Sequence, residues 1–318
     1  MNNDKKIRCV FIGTPSFAVP PLRALINDEQ FDIMAIVTQP DKKVGRKQVI
    51  TPPPVKVEAE KYNIPVYQPE KIGDLTFKIK ELRPDLIVVV AYAQIIPENI
   101  LNIPKYGVIN IHGSLLPKYR GASCVQAAIL NGDAETGVTI MKMDKGLDTG
   151  PILAQSPINI SSDDTAGSLY EKLSELGAKT LPSCLKKYIA GEIKPRPQDD
   201  SRSGYVGLLK KQDGKIDWRK PAIEIERFIR AMTPWPSAFA SLKIKNNYIN
   251  IKIIRVEYEP LKRNKHKIGE LFLRNGGLAV QCYKDALIIK RLQLEGKKEM
   301  TAEEFLRGYK NLVGSILK

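Results

Sequence analysis

Short apolar runs alternate with amphipathic helical segments through the first 190 residues of the chain. Runs with the composition of strands lie at residues 7–13, 32–38, 64–67, 85–91, 106–112, 138–143 and 150–158. Residues 85–91 are apolar at every position after the first, which is typical of a strand covered on both faces of a parallel sheet. Strands and helices that alternate in this way predict an α/β fold with a doubly wound, mostly parallel sheet.

The C-terminal part of the chain has a different pattern, with short strands and tight turns. The predicted strands span residues 244–256, 268–273, 278–283 and 286–294, and a short helix is predicted at 224–232. This spacing predicts a small OB-like β-barrel. The stretch before it is polar and carries Pro195 and Pro197, which is typical of a linker. We therefore expect a first domain at 1–190, a linker at 191–206 and a second domain at 207–318.

The net charge of +15 is concentrated in the second domain. Residues 1–190 hold 23 basic and 20 acidic side chains, a net of +3, whereas residues 191–318 hold 27 and 15, a net of +12. A basic domain of this kind favours a polyanionic partner, with nucleic acid ahead of a membrane because no basic amphipathic helix accompanies it. The alternative is a generally lysine-rich composition, against which the asymmetry argues.

Other features of the composition indicate a cytoplasmic protein without a membrane segment. No apolar run approaches the roughly 18–20 residues that a membrane span needs. The N-terminus does not resemble a signal peptide. The four cysteines are far apart in sequence, so we expect buried, reduced thiols.

Two polar residues at the end of one predicted strand form the first candidate site. The alternation of side chains along a strand places Asn110 and His112 on the same face. In open α/β sheets, ligands bind beyond the carboxyl ends of the strands. An imidazole beside an amide there predicts an acid/base catalyst with a donor for a developing oxyanion. A structural histidine with its own hydrogen bonds is an equally weighted alternative.

A glycine-containing loop at residues 144–150 supplies a carboxylate that could reach the imidazole. Asp148 beside His112 would orient the ring and favour its protonated form. A loop-capping aspartate or a calcium loop is the alternative, but two carboxylates are few for the 6–8 oxygen ligands of calcium. Zinc is disfavoured because a second nearby histidine and paired cysteines are lacking. We therefore expect no metal.

Several motifs together resemble one enzyme family. They are Asn-Ile-His-Gly-Ser-Leu-Leu-Pro at 110–117, Tyr-Arg-Gly at 119–121, residues 132–137 and 146–150, Gly-Thr-Pro at 13–15, Thr-Gln-Pro-Asp at 38–41 and Pro-Trp-Pro at 234–236. This set is similar to the methionyl-tRNA formyltransferases, members of the 10-formyltetrahydrofolate-dependent formyltransferase superfamily. The likeness covers nearly the whole chain. The chain departs from the family pattern at Ala93, where glycine is usual, and at Ser123-Cys124, where Ala-Pro is commoner.

The resemblance implies a Rossmann-like formyltransferase domain that transfers a formyl group from 10-formyltetrahydrofolate to the α-amine of methionine on initiator methionyl-tRNA. Asn110 and His112 would stabilise the tetrahedral oxyanion, His112 would also move the proton, and Asp148 would set the charge and orientation of the ring. The folate-contacting loop would comprise Ser114, Leu115, Leu116 and Pro117. The loop at 39–54 would contact tRNA through Lys42, Lys43, Arg46 and Lys47. We expect a monomer.

Two alternatives stay open at this stage. A formyltransferase of the same superfamily that acts on an amino sugar or a purine precursor would share Asn110, His112 and Asp148, but it would not need the basic second domain. An RNA-binding protein with a degenerate enzyme domain would have the basic domain, but the three intact polar residues count against it.

Arg46 is the only arginine of the loop at 39–54, and the resemblance gives it the role of reading the acceptor stem. A guanidinium forks to phosphate or a base edge in a way that an ammonium does not. We expect Arg46→Ala to weaken kcat/KM for initiator tRNA by about 1–3 kcal/mol in transition-state terms. Arg46→Lys should recover only part of this, with folate affinity unchanged. An Arg46→Lys protein as active as the parent would show that the loop supplies only charge.

Overall fold

The computed structural model describes residues 6–45, 47–244 and 247–318, which cluster into two compact units. The first unit comprises residues 1–124, 135–159 and 170–206. The second comprises 125–134, 160–169 and 207–318. Two short segments that we expected in the first domain therefore group with the second unit.

The first unit is built on a seven-stranded mixed sheet, which confirms the α/β expectation. Its strands are β1 (Ile7–Gly13), β2 (Phe31–Val37), β5 (Val66–Tyr67), β6 (Leu86–Val90), β7 (Val108–His112), β9 (Glu135–Lys142) and β10 (Ile152–Asn159). Their order across the sheet is β10-β9-β7-β6-β1-β2-β5. The neighbouring strands from β7 to β5 are all parallel to one another. In contrast, β9 is antiparallel to both of its neighbours, β7 and β10. The carboxyl ends of β1, β2, β6 and β7 therefore meet at one edge of the sheet.

Helices lie in the connections between these strands and after the last of them, and all but α4 match helices that the sequence predicts. They are α1 (Val19–Ile26), α2 (Pro54–Glu60), α3 (Thr76–Leu82), α4 (Glu98–Leu101), α5 (Cys124–Leu130) and α6 (Ala166–Ile189). One buried cluster packs apolar side chains of β1, β6 and β7 against residues of α3 and α4; its members include Val10, Ile12, Ile79, Ile87, Val89, Ile100 and Val108. Such burial is the main favourable term that fixes the sheet.

The second unit is a curled antiparallel half-barrel. Its sheet consists of β12 (Ala238–Ile244), β13 (Asn247–Glu259), β14 (Leu271–Arg274), β15 (Gly277–Gln281), β16 (Ala286–Leu294) and β17 (Met300–Thr301). The helices are α7 (Ala222–Met232) and α8 (Ala302–Tyr309). The register of β13 against β16 shifts on both sides of Arg255, and such bulges bend a strand and increase its twist. Among the described strands, the edge strands β12 and β14 do not pair with each other, so the sheet does not close. The expected barrel is therefore a half-barrel.

Two segments that we expected to be irregular contain regular structure. Within residues 39–54, β3 (Lys42–Val44) pairs with β4 (Val49–Thr51) to form an antiparallel hairpin. Within the expected linker, β11 (Tyr205–Val206) pairs with β8 (Arg120–Gly121). Residues 191–206, which we expected to form a linker, cluster with the first unit. Polar composition and prolines do not distinguish a free tether from a segment held by long-range hydrogen bonds.

The structure bears on two expectations from composition, the lack of a membrane span and the state of the cysteines. No helix within the described ranges is long and apolar enough to cross a membrane. The four cysteines are free and buried, as the sequence predicts.

Ala93 lies in the left-handed region of backbone conformation, with φ at 65°. It follows β6, in the loop where the resembled family usually has glycine. A non-glycine residue in this region costs about 1–2 kcal/mol, since its Cβ crowds the backbone. The backbone at residue 93 therefore adopts a conformation that destabilises the folded chain when the residue is alanine.

We expect Ala93→Gly to raise the free energy of unfolding by about 0.5–1 kcal/mol, because relief of the strain exceeds the entropy that glycine adds to the unfolded chain. The matched control is Ala154→Gly, in the middle of β10, where glycine should lower stability by roughly 0.5–1 kcal/mol. Urea unfolding of both variants measures the difference. A loss of stability in Ala93→Gly as large as in the control would contradict the strain.

Candidate active site

The site lies at the carboxyl edge of the sheet, where the chain leaves β1, β2, β6 and β7. At the end of β1, a Cβ on Gly13 would lie 2.9 Å from the carbonyl oxygen of Val90, so the two strand ends approach closely only with glycine. Beyond β2, the side-chain amide of Gln39 donates to the carbonyl of Tyr92 at 3.2 Å, which ties two of the loops together. These contacts hold the rim of the crevice in which ligands of such sheets bind.

His112 ends β7 and is only 8% exposed. Its Nε2 lies 2.9 Å from the carbonyl oxygen of Tyr119. Because a carbonyl only accepts, Nε2 carries a hydrogen and donates it. The other ring nitrogen, Nδ1, lies 3.5 Å from Oδ2 of Asp148. The structure therefore brings together two of the three residues predicted to be catalytic, and both ring nitrogens face acceptors.

Asp148 is held in place by the backbone around it. Its Oδ2 accepts a hydrogen bond of 2.8 Å from the backbone N–H of Gly121, and its own φ is 55°. Gly121 has φ at 102°, and a Cβ there would collide with the carbonyl of Val206. A left-handed conformation in a non-glycine residue persists only where the surroundings impose it. The carboxylate position is thus fixed by the fold rather than by the ion pair alone.

The surroundings of His112 raise the pKa of its imidazole to about 9. Burial is the largest influence and opposes the charge, but it is outweighed by the Cys124 side chain, the Asp148 carboxylate and the Tyr119 carbonyl. The ring is therefore an imidazolium at neutral pH, with a hydrogen on each nitrogen. This geometry favours a catalytic histidine over the structural histidine that the sequence left equally weighted, because a buried cation beside a carboxylate is typical of functional sites.

Polar groups in or after three strands of the sheet lack partners within the described residues. The Asn110 side chain is half-buried and makes no hydrogen bond to the described part of the chain. The Thr38 hydroxyl, directly after β2, and the Tyr92 hydroxyl, after β6, are buried without a described partner. Burial raises the pKa of Tyr92 to about 12. Unpaired buried polar groups are costly, so the Thr38 and Tyr92 hydroxyls, together with the half-buried amide of Asn110, fit a polar ligand.

The loop expected to contact folate is only partly open to a ligand. The Ser114 hydroxyl donates to the carbonyl of Lys118 at 2.6 Å, and Ser114 is fully buried. The backbone N–H of Leu116 donates to the Thr139 hydroxyl, and this leucine is 3% exposed. Leu115 and Pro117 are half-buried. The first two side chains shape the loop, which leaves Leu115 and Pro117 as the side chains with accessible surface.

The predicted tRNA-contacting lysines lie on the hairpin formed by β3 and β4. Lys42 and Lys43 are exposed within β3, and Lys47 is exposed in the turn. Arg46 lies outside the described residues. The hairpin also exposes Val44, Val49 and Ile50, each to more than half of its surface.

Gly121, Tyr119 and Gln198 contribute to the site, although the sequence assigned no role to them; the first two lie in the Tyr-Arg-Gly motif at 119–121. The first two act through their backbone, which leaves no side-chain signature. Gln198 donates to the carbonyls of Asp148 and Gly150 at 2.8 and 2.7 Å. Its position in a proline-containing polar stretch gave no indication of a contact 50 residues away.

Comparisons with known proteins identify the family of the chain. Residues 5–185 match the formyl transferase family and residues 208–310 match the formyl transferase C-terminal domain. The chain is 45% identical over 314 residues to the methionyl-tRNA formyltransferase of Citrifermentans bemidjiense, covering 98% of this chain and 96% of the relative. It is 46% identical to that of Geotalea uraniireducens, with 98% of each chain covered. The chain belongs to the methionyl-tRNA formyltransferase family. This membership does not favour an amino-sugar or purine-precursor acceptor, or a degenerate enzyme domain.

Solved structures share the fold at lower sequence identity. An N-formyltransferase from Helicobacter canadensis, solved with folinic acid and dTDP-3-aminofucose, has a TM-score of 0.67 and is 21% identical, covering 92% of this chain and all of its own. HypX from Aquifex aeolicus has a TM-score of 0.64 at 18% identity, covering 97% of this chain. This chain spans only about half of HypX, with 48% covered. At these identities the likeness supports the fold alone.

The raised pKa of His112 predicts a pH-dependent stability. Because the pKa in the folded state is about 9 and the ordinary value is 6.5, the stabilisation is fully present below 6.5 and is lost as pH rises through about 9. The shift corresponds to roughly 3 kcal/mol. We expect the free energy of urea unfolding to fall by about this amount over that range in the parent, relative to His112→Asn. The same pH profile in both proteins would contradict the buried imidazolium.

Proposed function

We propose that this protein transfers the formyl group of 10-formyltetrahydrofolate to the α-amine of initiator methionyl-tRNA, with Asn110, His112 and Asp148 as the residues that act on the reacting atoms. The observation that carries the proposal is the buried His112–Asp148 pair, two residues along the strand from an amide without a described partner. Acyl transfer needs donors at the developing oxyanion and a route for one proton.

Asn110 and His112 provide the donors. When the amine attacks the formyl carbonyl, negative charge develops on the carbonyl oxygen. The amide N–H of Asn110 has no competing acceptor in the described chain, so it is available to that oxygen. The positive charge of His112 stabilises the same oxyanion, and its effect is strong because the ring is buried away from water.

His112 also moves the proton, and the geometry favours Nδ1 for this step. Nε2 is held by a hydrogen bond of 2.9 Å to the Tyr119 carbonyl, whereas the 3.5 Å between Nδ1 and Asp148 is longer than an ordinary hydrogen bond. His112 gives the Nδ1 proton to the departing folate nitrogen as the C–N bond breaks. It then takes one proton from the attacking nitrogen, which restores the imidazolium. No proton is gained or lost overall.

Removal of the imidazole tests this role. We expect His112→Ala to lower kcat for formylation of charged initiator tRNA by roughly 10²–10⁴-fold, the usual contribution of acid–base catalysis. The affinities for tRNA and folate should change little. The control is His266→Ala, which removes the other histidine of the chain, in the second unit. Near-normal turnover in His112→Ala would return this residue to a structural role.

The outer face of the second unit provides a basic surface for tRNA. Lys243 lies opposite Tyr248 across β12 and β13, and Lys252 projects from the same face of β13 four residues later. Tyr248 is 54% exposed, and Nζ of Lys318 lies 3.1 Å from its hydroxyl. Lysines with an exposed aromatic ring suit the phosphates and stacked bases of a nucleic acid. We call Lys243, Tyr248, Lys252 and Lys318 the basic face.

A double variant of the basic face measures its part in tRNA binding. Each phosphate contact that is removed should reduce the salt dependence of affinity by about one unit of slope. We expect Lys243→Ala with Lys252→Ala to reduce the slope of log Kd against log salt by about two. The charge-matched control is Lys262→Ala with Lys265→Ala, beyond the other end of β13, which should change the slope less. Equal slopes in the two double variants would refute this surface.

A further inference from the structure

Gln198 belongs to a segment whose composition predicts a linker, yet it is hydrogen-bonded on both ends of its amide. Its Nε2 donates to the carbonyl of Asp148 at 2.8 Å and to that of Gly150 at 2.7 Å. Its Oε1 accepts from Nε and Nη2 of Arg120 at 3.1 and 2.9 Å. Gln198 therefore uses both of its donors and its acceptor to join Arg120 to the loop that carries Asp148.

Arg120 is an anchor for this amide because it is itself fixed. Only 3% of its side chain is exposed, and its Nη2 lies 2.7 Å from Oδ1 of Asp200. The next residue, Gly121, donates its backbone N–H to the Asp148 carboxylate. Arg120 and Gly121 thus hold Asp148 from two sides, one through Gln198 and one directly.

The loop needs such restraint because its conformation is strained. Asp148 has φ at 55°, and left-handed conformation costs a non-glycine residue about 1–3 kcal/mol. Gly150 packs against β9, where a Cβ would collide with the carbonyl of Lys142. The two carbonyls bound by Gln198 belong to these two residues, so the amide spans the strained turn.

We propose that Gln198 is a positioning residue for catalysis: by clamping the carbonyls of Asp148 and Gly150 to Arg120, it keeps the Asp148 carboxylate against His112. It does not touch the imidazole. Its effect passes through the placement of Asp148, and a displacement of about 1 Å at a catalytic group is enough to cost up to 10²-fold in rate.

The titration of His112 provides a readout that a merely structural role would not change. The groups that face its ring are Asp148 from the loop after β9, Cys124 from the start of α5 and the carbonyl of Tyr119. Only Asp148 is held by Gln198. Loss of the clamp should therefore lower the pKa of His112 while Cys124 and Tyr119 stay in place.

The principal variant is Gln198→Met, which keeps the length of the side chain and removes its donors and acceptor. Because the chain has two histidines, NMR can follow both rings, with His266→Gln to assign them. We expect the pKa of His112 to fall by roughly one unit. We expect kcat to fall by about 10- to 100-fold with little change in either KM. The matched control is Arg202→Ala, an exposed residue of the same segment, which should change neither.

The rate measurement rests on the proposed function, whereas the titration of His112 needs no substrate. The titration therefore tests the role of Gln198 even if the proposed function is wrong. If Gln198→Met does not fold, Gln198→Glu serves for the rate, since its carboxylate still pairs with Arg120 but has no hydrogens for the two carbonyls. Folded Gln198→Met with the parent's His112 titration, or folded Gln198→Glu with the parent's kcat, would overturn the proposal.

Discussion

The active site depends on a buried cation held against a carboxylate. His112 ends a central strand, where burial alone would favour the neutral ring, yet the Cys124 side chain, the Asp148 carboxylate and the Tyr119 carbonyl hold its pKa well above the ordinary value. A buried charge is tolerated only when it is paired and hydrogen-bonded. The strained turn at Asp148, the N–H of Gly121 and the amide of Gln198 are arranged so that this pairing is maintained. These three features together fix the position of the Asp148 carboxylate beside His112.

The catalytic unit and the basic unit divide the task of acting on a charged nucleic acid. The first unit carries a net charge of +6, from 26 basic and 20 acidic side chains, and a crevice at a sheet edge, which suits small reacting groups. The second carries a net charge of +9, from 24 basic and 15 acidic side chains, and an exposed basic face, which suits a phosphate backbone. In the proposed function, affinity for tRNA comes from the basic face, which plays no part in proton transfer. We therefore expect mutations to change binding and catalysis separately.

The sequence predicts the elements whose signal is local. Periodicity locates β1, β6, β7 and β16 closely, and the alternation of side chains is enough to place Asn110 and His112 on one face of β7. It does not reveal that β9 and β10 run antiparallel, because strand direction depends on the connections. It merges the end of β12 with β13, since the short alternating run at 238–244 follows a proline-rich turn. The hairpin at 42–51 and the Gln198 clamp also escape it, because both depend on hydrogen bonds and not on apolar spacing.

The central claim is that Asp148 acts in catalysis through His112. A double-mutant cycle tests it most directly, with kcat/KM for formylation of initiator methionyl-tRNA measured for Asp148→Asn, His112→Ala and the double variant. If Asp148 only sets the charge and orientation of the imidazole, its removal has no further effect once the ring is gone, and the double variant should match His112→Ala. Losses that add on a logarithmic scale would show that Asp148 acts independently and would contradict the account.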